Sequence, residues 1–468
     1  MQKRSEMYFH CLVLISVLQL LAAFAVPPPA AGSSEAKAEN TSTVLTQIRA
    51  LDRQTFLELV KLAKFNIQYQ QTVNHCARWR NVVYPLAQEG DYGAFLGFSI
   101  SDISQRSRGL NNPTLISPST TKRALAAATV GAMLGSTSSI VELAANGVEA
   151  IRDKQMGFSV RESVSFVQAA VNRVDDMLAR RHALLNEVEF TGTRRELLEL
   201  KEQLLQYERD RLLFEFKRWS AHSRGYFWYR NAFYVINATV NLGRFSAVQL
   251  GFKSFTQPKC SGATGPILIA SACLAGLGPF ASSSFGNRVE NYHMRFLSKK
   301  FPTSTSISDE EAKRKLERLE QILASEATTN QNGQLAAELL RMREEKIGLD
   351  KLIFHEDRNI QRLRRVAGQQ AITAPAISTL GAASGSLNTI GYYGYRQQPL
   401  ISNKLGFAAD ATIIPAEAVA LVATPAAAIR TYLYERNLSK KGEHPEQLVS
   451  TRLKDLKALE DMVNTAWR

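Results

Sequence analysis

Histidines that could act in acid–base or metal chemistry are spread along the chain rather than grouped. No two of them stand four residues apart, the spacing that places two metal ligands on one helix face. The chain also lacks a glycine-rich phosphate loop, an HExxH zinc motif and a GxSxG nucleophile motif. We therefore expect no catalytic, cofactor-binding or metal-binding residue, and no enzyme. The histidines beyond the N-terminal segment are His75, His182, His222, His293, His355 and His444.

Two short groups come nearest to a chemical motif. His355, Glu356 and Asp357 are consecutive, and His75 precedes Cys76. Consecutive residues point in different directions around a helix, so neither group converges on one ion or one substrate. We expect no chemical role for either group.

Three carboxylates lie within segments that are otherwise apolar: Glu142, Asp410 and Glu417. Inside a bilayer they would be functional candidates, because a charge there is costly and is kept only for a reason. We expect instead that all three lie near helix ends, in water.

The cysteines give no framework for the fold. Once Cys11 is removed with the N-terminal segment, Cys76, Cys260 and Cys273 remain, and no two of them form a CxxC pair. Three such thiols make neither a disulfide framework nor a zinc site. A single Cys76–Cys260 bridge and buried free thiols stay open as alternatives.

The N-terminus has the three parts of a secretory signal peptide. Lys3 and Arg4 are the positive region, Cys11–Ala25 is an uncharged apolar run, and Ala23-Phe24-Ala25 has the small-x-small form of a cleavage site. A retained anchor helix is the alternative, but fifteen apolar residues fall short of the roughly 20 that cross a bilayer. We predict cleavage after Ala25 and export of the mature chain.

Composition places the mature chain among ordinary folded proteins. Of the 468 residues, 45% are hydrophobic and 21% charged, and the mean hydropathy of −0.17 limits any membrane portion to a minority of the chain. The net charge of +14 is compatible with nucleic acid, an anionic membrane surface or simple solubility. Export, and the lack of basic runs interleaved with aromatics, predict no nucleic-acid partner.

Charged segments with helical periodicity predict two helical hairpins. In the first, a heptad stripe leads into a second helix with Leu198, Leu205, Leu212 and Trp219 seven apart. The second hairpin runs over Ser308–Arg365 and starts with a capping box of Ser308 and Glu311. A further helix is expected over 43–84, with a loop over 90–118. The heptad stripe consists of Val164, Val167, Val171, Val174, Leu178, Arg181, Leu185 and Val188.

Apolar segments rich in small residues alternate with these charged helices. Two of them carry no charge over 28 and 30 residues, long enough to span a bilayer. Glycines at 131 and 135, and at 381 and 385, have the small-xxx-small spacing of closely packed helices. Internal charges such as Arg244 favour a soluble core instead, so both alternatives stay open. The segments are 124–151, 231–252, 260–287, 366–395 and 405–429.

A six-residue basic junction recurs at an offset of 141 residues and predicts an internal duplication. Residues 295–300 read RFLSKK and residues 436–441 read RNLSKK, and each follows an apolar segment and precedes a charged helix. Basic side chains at such a position can bind lipid headgroups. The predicted headgroup ligands are Arg295, Lys299, Lys300, Arg436, Lys440 and Lys441.

These patterns predict an all-α fold in which helical hairpins with coiled-coil-like seams alternate with small-residue apolar helices. The expected units are a signal peptide (1–25), an N-terminal helical region (26–120), a first repeat (121–259), a second repeat (260–404) and a truncated third (405–468). The expected function is a non-enzymatic, exported, membrane-associated scaffold that binds a protein partner or a second copy through its hairpins. An oligomeric pore is the alternative function, and a soluble exported protein is the alternative location.

Overall fold

A computed structural model describes residues 35–73, 80–188, 190, 192–302, 309–327, 374–440 and 445–466. Over these residues the chain is helical apart from short turns, and no strand occurs among them. The predicted all-α class is confirmed. The signal peptide and most of the predicted second hairpin lie outside the described residues.

The helices are numbered in chain order. They are α1 (Glu35–Val73), α2 (Arg80–Arg108), α3 (Pro118–Gln155), α4 (Val160–Glu187), α5 (Thr193–Ser254), α6 (Ser261–Lys300), α7 (Asp309–Ala327), α8 (374–395), α9 (Pro399–Lys440) and α10 (Pro445–Ala466).

One half of the molecule, here called the charged bundle, packs large apolar side chains inward, together with several buried charged residues such as Arg181 and Lys201. It comprises α1, α4, the first half of α5, α7 and α10, and the last turn of α6 joins it through Leu297 and Phe301. Amphipathic stripes on these helices supply a continuous core, as expected for helices in water. That core includes Phe56, Leu59, Val167, Val174, Leu204, Leu212, Phe216, Leu319 and Leu456.

The other half, here called the apolar bundle, has the opposite arrangement. It comprises α2, α3, the second half of α5, α6, α8 and α9. Large apolar side chains point outward: Leu277, Tyr393 and Val422 are 65%, 67% and 68% exposed. Three helical stretches, Pro118–Glu187, Pro258–Lys300 and Pro399–Ala423, are long and apolar enough to cross a membrane.

Three antiparallel helix pairs build the apolar bundle, and their turns meet at the end far from the charged bundle. The turns lie at 109–117 between α2 and α3, at 255–260 between α5 and α6, and at 396–398 between α8 and α9. Two contacts hold the turns together: Tyr392 donates a hydrogen bond to the Lys259 carbonyl at 3.4 Å, and Lys122 Nζ lies 5.0 Å from the Phe255 ring centroid.

Helices α5 and α6 each continue from one bundle into the other without a break. The sequence suggested a charged helix and a separate apolar segment, but α5 joins them over 62 residues, about 93 Å at 1.5 Å per residue. Where the two bundles meet, α5 crosses α6 at Gly225 and Gly286. A Cβ atom at Gly225 would lie 3.0 Å from the Gly286 carbonyl oxygen, so the backbones touch.

The predicted small-xxx-small glycines also lie at helix crossings. A Cβ atom on Gly131 would stand 2.7 Å from the Ala94 Cβ of α2, and one on Gly385 would stand 3.0 Å from the Gly265 carbonyl oxygen of α6. Larger residues at these positions would push the helices apart. The glycine spacing thus serves close helix packing within one chain.

The predicted loop over 90–118 is wrong for most of its length. Helix α2 continues through Gly90, Gly93 and Gly97 to Arg108, and the turn covers only 109–117. Each interior glycine costs a helix about 1 kcal/mol relative to alanine. Packing offsets this cost, since Gly90 faces Leu134 of α3 and Gly93 faces Leu421 of α9. The predicted helix over 43–84 likewise divides between α1, which ends at Val73, and α2.

The heptad stripe of α4 is buried, but its main partner differs from the expected one. Val164, Val167, Val171 and Val174 are all in the core, and α4 packs more extensively against α1 than against α5. The coiled-coil geometry and the internal duplication stay predictions.

Candidate functional site

The three carboxylates noted in the apolar segments are buried inside the apolar bundle. Glu142 is 3% exposed, and Asp410 and Glu417 are each 6% exposed. The expectation that they lie in water near helix ends is therefore wrong. Each lies near an arginine from another helix, and this pairing makes their burial tolerable.

At the far end of the bundle, Arg106 of α2 lies between two carboxylates. Its Nε donates a hydrogen bond to Asp102 Oδ2 at 2.7 Å and lies 3.1 Å from Asp410 Oδ2 of α9. A Cβ atom on Gly406 would stand 1.9 Å from Arg106 Nη1, so only glycine leaves room for this guanidinium. Asn403 donates to the Arg106 carbonyl at 3.0 Å, which fixes the end of α2 against α9.

A second group lies near the middle of the bundle, again with one arginine and two carboxylates. Arg244 Nη1 of α5 is 3.2 Å from Asp91 Oδ2 of α2. Glu417 of α9 faces the same arginine and has a hydrogen bond from the Ser99 side chain. The Arg244 guanidinium also lies 5.1 Å from the Phe95 ring centroid, a cation–π distance.

A third pair lies toward the charged bundle, where Arg230 Nη2 of α5 is 3.6 Å from Glu142 Oε2 of α3. One turn away, Asn146 donates a hydrogen bond to Asn231 Oδ1 at 2.7 Å. Polar contacts thus tie α3 to α5 at this level.

Neutral polar side chains fill the space between the second and third groups. Gln88 Nε2 of α2 donates to the Gly135 carbonyl at 3.2 Å and to Ser138 Oγ at 2.9 Å. Asn237 of α5 donates to the Tyr84 hydroxyl at 2.8 Å. Seven residues separate Asp410 from Glu417 and fourteen separate Arg230 from Arg244, so the charged groups extend over about 30 Å at 1.5 Å per residue. That length matches the hydrocarbon thickness of a bilayer.

We call these residues the polar column: Glu142 with Arg230, Asp91 and Glu417 with Arg244, and Asp102 and Asp410 with Arg106. Sequence reasoning missed Asp91 and Asp102, because it assigned both to a loop. A helical reading of 80–108 would have revealed them as charges among small apolar residues.

Aromatic side chains surround α5 where it enters the apolar bundle. The Trp228 ring packs edge-on against Phe285 at 5.8 Å between centroids, and the Arg230 guanidinium lies 5.7 Å from the Tyr226 ring centroid. Tyr392 and Tyr393 occupy the opposite end, near the three turns. Such aromatic groups are enriched at the two water interfaces of membrane proteins.

The predicted headgroup ligands lie at the surface wherever the structure describes them. Arg295, Lys299 and Lys300 are exposed at the end of α6, and Arg436 and Lys440 are exposed near the end of α9. Lys441 lies outside the described residues.

The charged bundle has its own buried ionic group around Arg181, the one charged member of the heptad stripe. Arg181 is fully buried and donates to Asp52 Oδ1 at 2.5 Å, to Glu202 Oε2 at 2.8 Å and to the Leu198 carbonyl at 2.9 Å. Lys201 Nζ lies 3.9 Å from Asp52 Oδ2, and burial lowers the pKa of this lysine to about 8. These contacts fix the relative positions of α1, α4 and α5.

Histidines and cysteines form no comparable centre in the described part of the chain. His182 contacts Glu202 at 2.9 Å, and His293 contacts Ser220 at 3.1 Å. Cys260 and Cys273 are free thiols. No group of three or more potential metal ligands occurs among the described residues. His75, Cys76 and the group at 355–357 lie outside the described residues.

No family model, curated protein or solved structure matches this chain.

Proposed function

We propose that this chain is an exported integral membrane protein and a non-enzymatic scaffold. In this proposal the apolar bundle lies in the bilayer and the charged bundle presents helical surfaces to a partner on one side. The observation that supports it best is the placement of large apolar side chains, which form the core of the charged bundle but point outward in the apolar bundle, around an interior that holds paired charges.

An apolar surface around an interior of paired charges is favourable in lipid and unfavourable in water. A soluble helical protein buries its large apolar side chains, as the charged bundle does. In lipid, ionisable residues face the interior of a helix bundle and pair with one another, as Asp91 and Arg244 do. The continuous helices α5 and α6 would transmit any movement of one bundle to the other.

The arrangement of the three turns supports a single orientation. All three lie at the end opposite the charged bundle, so each helix pair that enters the bilayer would return the chain to the side of that bundle. Lysine and arginine are somewhat more frequent at the helix ends that lead into the charged bundle, which favours a cytoplasmic location for it. The exposed Arg295, Lys299 and Arg436 would then lie close to anionic lipid headgroups.

A pair of substitutions tests the proposed embedding. Leu277→Asp places a carboxylate on an outward position of α6, at a cost of about 2.5–3.5 kcal/mol in a bilayer centre. Phe214→Asp makes a similar change on the charged bundle, where Phe214 is 56% exposed. We expect Leu277→Asp to reduce the carbonate-resistant membrane fraction, and Phe214→Asp to leave it unchanged.

The wild-type protein gives the more basic measurement. After an alkaline carbonate wash it should stay with the membrane and float with lipid in a density gradient. Recovery of the wild-type chain in the supernatant would refute the embedding and favour a soluble exported protein.

An oligomeric pore is the second candidate, and the polar column is the observation that favours it. However, the glycines that could line a pore contact other helices of the same chain, such as Gly135 against Asn241 of α5. A polar route within one chain is therefore better supported than a pore shared between copies.

A further inference from the structure

We propose that the polar column relays protons through the apolar bundle, with Asp91, Glu417, Asp102 and Asp410 as the exchanging carboxyl groups. This inference depends on the membrane embedding proposed above. It adds an activity, proton movement across the bilayer, to a chain otherwise proposed to be a scaffold.

The first support is the ratio of charges. Two of the three groups, the one at the far end and the one in the middle, each contain two carboxylates and one arginine: Asp102 and Asp410 with Arg106, and Asp91 and Glu417 with Arg244. One arginine compensates one carboxylate, so each group has one acidic side chain in excess. An uncompensated buried charge is strongly unfavourable, and a proton on the surplus carboxyl group removes it.

The second support is the burial and bonding of the carboxylates. Asp91 is 1% exposed, and its Oδ1 has no hydrogen-bond donor among the described residues. Glu417 Oε2 is likewise without a donor in that part of the chain. A carboxylate oxygen buried without a donor is costly, whereas a protonated carboxyl group can itself donate a hydrogen bond.

A proton fits these groups better than a metal ion does. A metal ion would have to bind beside Arg106 or Arg244, whose guanidinium nitrogens lie within 3.2 Å of Asp102, Asp410 and Asp91. In the described part of the chain, no set of three potential metal ligands occurs. A proton needs only one oxygen and brings no ligand shell.

The two groups are close enough to influence each other. Asp410 and Glu417 lie two helical turns apart on α9, about 10 Å. Asp410 interacts electrostatically with Arg106, Asp102 and Glu417, and Glu417 interacts with Arg244 and Asp91. In addition, Glu89 and Tyr92 of α2 interact electrostatically near Asp91. These are the charged and titratable groups that would tune the exchange.

The relay is a series of balanced transfers. A proton enters at the Asp102–Asp410 pair, near the three turns. Asp410 and Glu417 are seven residues apart on α9, about 10 Å, so water carries the proton onward: Glu417 is protonated as Asp410 becomes ionised, and Asp91 as Glu417 becomes ionised. From Asp91, water carries the proton past Gln88, Asn241 and Ser138 to Glu142, which releases it to water beside the charged bundle.

Proton flux in reconstituted vesicles tests the relay. The purified full-length chain is inserted into phosphatidylcholine–phosphatidylglycerol vesicles that contain a pH-sensitive dye, and flotation first confirms its insertion. A potassium gradient with valinomycin then drives proton entry. We expect entry faster than in protein-free vesicles, and a decrease of about tenfold or more in Glu417→Gln and Asp410→Asn.

These two variants keep the shape of a protonated carboxyl group, so they should fold. Glu187→Gln and Asp176→Asn make the same changes at exposed positions of α4 and should keep the wild-type rate. A floating wild-type protein with the rate of empty vesicles would refute the relay and leave the membrane scaffold in place. Failure to float would refute the embedding itself.

A second measurement detects the protonated carboxyl groups directly. Infrared spectra of the wild-type protein at neutral pH should contain the carbonyl stretch of protonated carboxyl groups, sensitive to exchange into D2O. Glu417→Gln and Asp410→Asn should each remove part of this band. A wild-type spectrum without the band would overturn the proposal.

Discussion

Arg181 in the charged bundle and Arg106 in the apolar bundle each lie between two carboxylates from different helices. A guanidinium has five donors in a fixed plane, so one side chain can hold several oxygens at once. Around Arg181, the nearby Lys201 balances the second carboxylate. Around Arg106, in the described part of the chain, no lysine forms a comparable ion pair with Asp102 or Asp410.

The buried side chain of Lys201 leads to a prediction about how stability depends on pH. Burial lowers its pKa from 10.5 to about 8, so the folded chain bears a penalty while this lysine is charged. That penalty is complete below about pH 8 and fades as the pH rises toward the ordinary value. Relative to Lys201→Met, we expect the wild-type free energy of unfolding to rise by roughly 3 kcal/mol across this range, since one pKa unit equals about 1.4 kcal/mol.

The measurement is chemical unfolding in detergent at a series of alkaline pH values. Lys61→Met, on the exposed face of α1, is the matched control and should follow the wild-type curve. Parallel curves for wild type and Lys201→Met would mean that Lys201 titrates normally in the folded chain.

Glycines and the heptad stripe hold neighbouring helices together in different ways. Glycines such as Gly225 and Gly286 bring two backbones into contact, which holds α5 against α6 where the bundles meet. The valine stripe of α4 instead buries side-chain volume against α1 and the core. Close backbone contact suits lipid, where apolar side chains gain nothing from leaving their solvent, and side-chain burial suits water.

The valine stripe of α4 leads to a prediction about the stability of the charged bundle. Val171 is 3% exposed in the core of the charged bundle, so Val171→Asp buries a charge among apolar partners. We expect it to destabilise the fold by roughly 3 kcal/mol or more, measured as a lower thermal unfolding midpoint. Ala169→Asp, two residues away on the exposed face of α4, should change the midpoint little. Equal midpoints for the two variants would show that this face of α4 is solvated.

Large apolar side chains form the core of the charged bundle and the surface of the apolar bundle. For the whole molecule, the main question is therefore which way the apolar bundle is oriented in the membrane. The basic junctions at the ends of α6 and α9 lie on the side of the charged bundle, while the start of α3 lies beside the three turns. These two ends of the apolar bundle should face opposite sides of the membrane.

Cysteine labelling in intact cells tests this orientation. In a background with Cys76, Cys260 and Cys273 changed to serine, Ser298→Cys and Ser439→Cys should resist an impermeant thiol reagent. Ser119→Cys, exposed at the opposite end, should react. Labelling at both junctions would indicate the opposite topology or a soluble chain. Labelling at only one would show that the two basic junctions do not share an orientation, against the predicted duplication.

The sequence by itself determined the all-α class and the buried stripe of α4, because both follow from the 3.6-residue period of a single helix. It also identified the small-xxx-small glycines at 131, 135, 381 and 385, whose packing the spacing implies directly. It pointed to Glu142, Asp410 and Glu417 as unusual, but it placed them in water.

Only the tertiary structure decided which residues meet. Arg244 and Asp91 are 153 residues apart, and no local pattern links them. The same holds for α2, where glycines predict a loop until the packing of α3 against Gly90 and of α9 against Gly93 is known. Helix propensities differ by less than about 1 kcal/mol per residue, so tertiary packing outweighs them. Charge pairing between distant helices depends on that packing, which is why the polar column became visible only in the folded chain.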